Sequence, residues 1–203
     1  MKIFAIGRNY VDHARELNNP VPKEPIFFMM PDSALLKNNQ PFFYPDFSHA
    51  IHYELEIVVR LNRLGKNIAP EYAHRYYSEI GVGIDFTARD LQQKCKEKGL
   101  PWEIAKSFDG AAPISKFYPV EQLGDINHLN FHLEINGEIV QQGNTKDMIF
   151  PVHQLIAHVS KYMTIKIGDL LFTGTPAGVG PVKIGDRLEA YIEDKKLLDF
   201  MIK

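Results

Sequence analysis

Short runs of β-branched and aromatic residues, KIFAIG (2–7), HYELEIVV (52–59), EIGVGIDF (79–86), FHLEINGEIVQQG (131–143) and RLEAYI (187–192), are divided by glycine, proline and asparagine turns. Where apolar and polar residues alternate in such a run, the two faces of the strand differ. Asn136-Gly137 is the pair that a two-residue hairpin turn demands. Short strands with regular turns predict an α+β, β-rich chain, a folded-over or barrel-like sheet system rather than a doubly wound one. The helices are few, short and peripheral. One is expected over 10–17 with Asn9 as its cap, one within 71–80, and one opened by a Thr87/Asp90 capping box and closed by Gly99 near Pro101. A fourth starts at Pro151 and runs to about Met163, with Val152, Leu155, Ile156 and Val159 as its apolar stripe. Residues 20–31 read as extended, and 32–48 as short strands and turns.

With 203 residues, 45% hydrophobic content and a formal net charge of −2, the chain reads as one well-filled globular domain spanning 1–203. Near-balanced charge gives no bulk steering toward nucleic acid or membrane. The lone Cys95 excludes an internal disulfide and a multi-cysteine zinc site, which fits a reducing, cytoplasmic setting. The apolar run before Arg8 is too brief for a signal peptide core, and it reads as a first strand.

Chemistry enters where polar residues interrupt the strands. In HYELEIVV, His52, Glu54, Glu56 and Val58 share one face, while Tyr53, Leu55, Ile57 and Val59 share the other. The glutamate face is either solvated or covered, and Val58 argues for cover. Two covered carboxylates need protons or a cation. In EIGVGIDF, Asp85 shares a face with Gly81 and Gly83, which predicts open space beside its carboxylate, unless Asp85 caps the next helix. Three carboxylates from two strands suit magnesium, manganese or calcium. His52 could turn the set toward zinc, but no paired-histidine motif supports that. His13 and Glu16 lie three apart on a helix, either as a water-activating pair or as a surface contact. Arg89 and Gln92 have the same spacing, and Lys106 sits among Trp102, Ile104, Ala105 and Phe108. TGTPAGVG lacks the end of a phosphate loop and offers backbone amides at most. The pairs His128/His132 and His153/His158 have no matching partners and read as structural.

Taken in order, IGRNYVDHAREL, HYELE, IDFTARDLQ, KGLPWEIAKSFD, NGEIVQQG and GDLLFTGTPAGVGPVKIGD resemble the fumarylacetoacetate hydrolase family, and within it the short acylpyruvase and oxaloacetate decarboxylase branch. The resemblance implies a mixed β-sandwich roll, commonly dimeric. It implies that Glu54, Glu56 and Asp85 hold Mg2+ or Mn2+, that His13, Glu16 and Lys106 are catalytic, and that Arg8, Arg89, Gln92 and Thr175 bind a small 2-oxo acid. The expected activity is metal-dependent hydrolysis of a C–C bond in acylpyruvate-type 2,4-dioxo acids, with oxaloacetate decarboxylation beside it. A decarboxylase, a tautomerase or a 2-hydroxyhepta-2,4-diene-1,7-dioate isomerase on the same site is the alternative. A noncatalytic calcium module would leave His13, Glu16 and Lys106 without a purpose.

Overall fold

The computed structural model describes residues 1–203. Its first half forms β1 (Ile3–Gly7), α1 (Val11–Glu16), β2 (Ile26–Met30), β3 (Leu35–Leu36), β4 (Ile51–Tyr53), β5 (Leu55–Leu61), β6 (Tyr77–Ile84), β7 (Thr87–Ala88), α2 (Arg89–Lys98) and α3 (Glu103–Lys106). There follow β8 (Ala112–Pro113), β9 (Tyr118–Pro119), β10 (Asn130–Ile135), β11 (Glu138–Asn144), α4 (Val152–Tyr162), β12 (Leu170–Phe172), β13 (Gly180–Pro181), β14 (Arg187–Ile192) and β15 (Lys195–Met201).

A six-stranded sheet has the order β2-β1-β12-β5-β6-β9, antiparallel except for the β1–β12 pair. It lies against an antiparallel sheet of order β11-β10-β14-β15. Leu55, Ile57 and Val59 of β5 and Ile80, Val82 and Ile84 of β6 meet Phe131, Leu133, Leu188, Ala190, Leu198 and Phe200 across this layer. The outer face of the large sheet is buried too, because Ile3, Ala5, Val58, Leu170 and Phe172 pack with Met30, Ala34, Ala112 and Ile114. Burial on both faces removes the polar-out option for β5. Val58 is fully buried, so the glutamate face is covered, as its apolar member implied.

The β10–β11 hairpin forms on Asn136-Gly137, both at positive φ (55° and 85°). Gly99 closes α2 in the left-handed conformation at φ 64°. The expected caps differ. Asn9 does not cap α1: its side chain donates to the Phe150 and Thr173 carbonyls and accepts from the Phe150 N–H, tying three segments together. The Thr87/Asp90 box does not form either. Thr87 belongs to β7, and Asp90 accepts from the Ser48 hydroxyl and the His49 amide at 2.6 and 3.1 Å. Long-range partners outcompete the local caps in both places. The helix expected within 71–80 is a 3-10 turn over Pro70–Tyr76, and the chain is already in β6 from Tyr77.

Candidate metal centre and its pocket

The chain leaves the small sheet of β13-β4-β7 and enters the six-stranded sheet at Glu54, which lies between β4 and β5. His52 does not join the ligand atoms that converge there. Across the strand pair, Glu56 is in register with Gly83, and the Asp85 N–H donates to the Glu54 carbonyl at 2.8 Å. Glu54, Glu56 and Asp85 thereby converge at one end of β5 and β6, with ligand oxygens within 4.8 Å of one another and all three residues buried. The glycines on this face do not leave open space, contrary to the expectation from sequence. A Cβ at Gly83 would lie 2.7 Å from the Phe172 ring and 2.8 Å from Val58. One at Gly81 would lie 2.6 Å from the Ser115 hydroxyl. They admit other parts of the protein, and that packing walls the carboxylates in.

Two cations enter the cluster. The Lys106 ammonium donates to Glu54 at 2.8 Å and Asp85 at 2.7 Å, and Arg89 donates to Glu54 at 2.7 Å and to the Gln92 side chain at 2.8 Å. Asp85 therefore serves Lys106, not the start of α2. Burial opposes ionisation of Glu54, but the Lys106 and Arg89 charges outweigh it and hold its carboxyl well below the usual range. Burial and the Glu54 charge push Asp85 up to about 7 despite Lys106. Glu56 is pushed well above its ordinary value by burial and by the Asp85 and Glu54 charges, against one hydrogen bond from the Gly174 amide at 2.7 Å. Burial lowers Lys106, yet Asp85 and Glu54 reverse that and raise it. The Asp85 Oδ1 atom is buried without a hydrogen-bond partner. An orphaned carboxylate oxygen and a glutamate without a cation are what a hard divalent ion would satisfy, so the donor set fits one.

His13 is buried on α1, with Nδ1 3.2 Å from Glu16. Glu16 also accepts from the Gly178 amide at 3.0 Å, which fixes the pair against the glycine-rich turn. Thr175 lines the pocket and is also tied to the protein. Its hydroxyl donates to the Leu55 carbonyl at 2.8 Å and accepts from Gln141 at 2.7 Å, so it serves the protein before any ligand. Gln141 also accepts from the Leu55 amide at 2.9 Å, and so clamps the start of β5. Gln141 lies in a strand of mixed polarity, EIVQQGN, where nothing in the pattern marks its amide as buried.

One pocket collects these groups. Arg8, His13, Glu54, Glu56, Asp85, Arg89, Gln92, Lys106 and Thr175 line it, and Glu16 stands behind His13. Phe28, Lys96 and Trp102 line it too, without having been expected there. Lys96 had a signal: Arg89, Gln92 and Lys96 recur at i, i+3 and i+7, one helix face. Phe28 had none, since the pairing that brings β2 over the site is long-range.

Comparison with known proteins agrees with this geometry. The model of the fumarylacetoacetate (FAA) hydrolase C-terminal family matches residues 2–200. The chain is 40% identical over 201 residues to the mitochondrial oxaloacetate tautomerase FAHD1 of Bos taurus, covering 99% of this chain and 91% of that protein. It is 43% identical over 192 residues to the mitochondrial oxaloacetate decarboxylase of Dictyostelium discoideum, covering 94% and 88%. The crystal structure of fumarylpyruvate hydrolase from Pseudomonas aeruginosa, in complex with Mn2+ and pyruvate, superposes with a TM-score of 0.94 at 35% identity, covering 100% of this chain and 89% of that one. Sequence order, sheet architecture and the buried carboxylate triad converge, and the chain belongs to the fumarylacetoacetate hydrolase family.

Proposed function

We propose that the chain is a divalent-metal-dependent enzyme of small 2-oxo acids, and that it moves a proton at the carbon beside the 2-oxo group, with oxaloacetate as substrate. The observation that carries this reading is the placement of a held imidazole and a buried ammonium on one pocket with the carboxylate triad. The relatives named for oxaloacetate support the substrate, and the neighbour holding Mn2+ and pyruvate supports the 2-oxo acid and the class of metal.

Glu54, Glu56 and Asp85 would hold Mg2+ or Mn2+, which when bound supplies a positive centre that polarises a 2-oxo carbonyl. Glu16 accepts from His13 Nδ1 and so leaves Nε2 as the basic nitrogen. That nitrogen takes the proton from the carbon, the electron pair moves toward the 2-oxo oxygen, and His13 returns the proton to that oxygen. Lys106 has three N–H groups and commits two of them to Glu54 and Asp85. The third can donate to the oxygen on which charge develops.

A second reading, hydrolysis of acylpyruvates, is favoured by the tethering of Glu16 to both His13 and the Gly178 amide. There His13 removes a proton from water, the water oxygen bonds to the distal carbonyl carbon, the adjacent C–C bond breaks, and the departing carbon recovers the proton. Decarboxylation of oxaloacetate needs no such base. Glu16→Ala is therefore expected to slow keto–enol interconversion and acylpyruvate hydrolysis by roughly a hundredfold, while decarboxylation loses less. Rates of all three reactions, two on oxaloacetate and one on an acylpyruvate, measured with saturating Mn2+ and with chelator, decide the matter. Equal losses in every reaction would show that the pair positions substrate and is not the base.

A further inference from the structure

Residues 174–178, the turn after β12, reach the site at both ends. At one end the Gly174 amide donates to Glu56 of the carboxylate triad at 2.7 Å. At the other the Gly178 amide donates to one oxygen of Glu16 at 3.0 Å, while the second Glu16 oxygen lies 3.2 Å from His13 Nδ1. The middle of the turn is fixed by side chains. The Thr175 hydroxyl donates to the Leu55 carbonyl at 2.8 Å. The Gln141 amide group donates to the Thr175 hydroxyl at 2.7 Å and to the Pro176 carbonyl at 2.8 Å, and its oxygen accepts from the Leu55 N–H at 2.9 Å. Leu55 stands between Glu54 and Glu56 in the chain. Both N–H groups and the oxygen of Gln141 are thereby committed, the residue is 2% exposed, and it does not line the pocket. The turn also lies directly on β11. A Cβ at Gly178, which has φ 100°, would be 3.2 Å from the Val140 carbonyl and 3.5 Å from Gln141 Cγ, and one at Gly143 would be 2.8 Å from the Pro176 ring.

We infer that Gln141 is a positioning residue of the reaction. By tying the middle of the 174–178 turn to the backbone between the two glutamates of the triad, it sets where the His13–Glu16 pair stands relative to those carboxylates. This rests on the reading above, in which His13 is the base, and adds what holds the base in place. Gln141 touches no reacting atom and acts through the turn and Glu16. Misplacing a reacting group by about 1 Å can cost roughly a hundredfold in rate, so a little freedom in the turn is enough to slow the proton transfer.

The test is a double-variant cycle on manganese-loaded protein. Gln141→Met has a similar length and no hydrogen-bonding group. It is expected to lower kcat for keto–enol interconversion of oxaloacetate about tenfold with KM within about threefold, and to slow decarboxylation of the same substrate less. Because Gln141 acts through Glu16, the same substitution should cost nothing further once Glu16→Ala is in place. Losses that multiply in the double variant, or an equal loss in decarboxylation, would overturn the positioning role and leave the base reading standing. Where Gln141→Met does not fold, Gln141→Glu serves in the same cycle. It keeps the acceptor for the Leu55 amide and loses one donor to the turn when protonated, both when ionised, and its loss should likewise vanish beside Glu16→Ala. Glu16→Ala as fast as the parent would overturn the base reading and this inference together.

Discussion

Glu56 is the residue at which binding and stability oppose each other. Its carboxyl is buried, receives one amide and has no direct cation partner, whereas Glu54 has two and Asp85 one. Glu56→Gln keeps the shape and the acceptor for the Gly174 amide but removes the charge. The variant should bind Mn2+ at least tenfold more weakly, yet its metal-free form should melt higher than the metal-free parent. Calorimetric titration and thermal melting read the two effects separately, and a variant that loses both or neither contradicts the assignment. Lys106 shows how far a sequence reveals such a residue. Its apolar neighbours mark it as unusual for a lysine, but its bridge to Glu54 and Asp85, 52 and 21 residues away, is tertiary. Thr175 and Gln141 are less legible still, because a hydroxyl in a loop or an amide in a strand looks the same whether it holds a ligand or a neighbouring strand.

Among the elements, β5 and β6 were readable because alternation reports which side chains share a face, and Val58 reported the burial of the second face. What lies over that face is long-range. Phe172 of β12 fills the space above Gly83, so Gly83→Ala should cost about 1–3 kcal/mol through overpacking. Denaturant melts of metal-free protein measure this; no loss would mean that Phe172 has room to move. Helix α1 is a different case. It has six residues, no side-chain cap, and buries His13 and Ala14. Besides backbone ties at its ends, the Glu16 contact to the Gly178 amide holds it down. Such a segment opens at low cost. Amide exchange from Tyr10 to Asn19 should slow when oxalate and Mn2+ are added together, and unchanged exchange would show that α1 is not a lid. The N-terminal caps of α1 and α2 were the least legible features, since Asn9 and Asp90 carry capping chemistry but use it on Phe150, Thr173 and the Ser48–His49 corner, whereas Gly99 closed α2 as its position implied.

At the scale of the molecule, two packed sheets place carboxylates where protons and a divalent ion compete for the same atoms. Their titration therefore couples folding to pH. Asp85 is raised from 3.8 to about 7, and Glu56 is raised in the same direction. For each, the proton is bound more tightly in the folded state, so the stabilisation is fully present at pH below the unfolded value and disappears as pH rises through the folded one. Glu54 runs the other way, and its contribution is lost only as pH falls below the ordinary 4.5. Metal-free protein should accordingly melt at progressively lower temperature between about pH 5.5 and about pH 7.5. A bound divalent ion takes the place of the protons, so Mn2+ should raise the melting temperature more at the upper end of this window than at the lower end. Calorimetric scans with chelator and with saturating Mn2+ give both slopes. Parallel pH profiles would mean that the ion binds away from Asp85 and Glu56, whereas profiles that diverge as pH rises locate the competition at these two carboxylates.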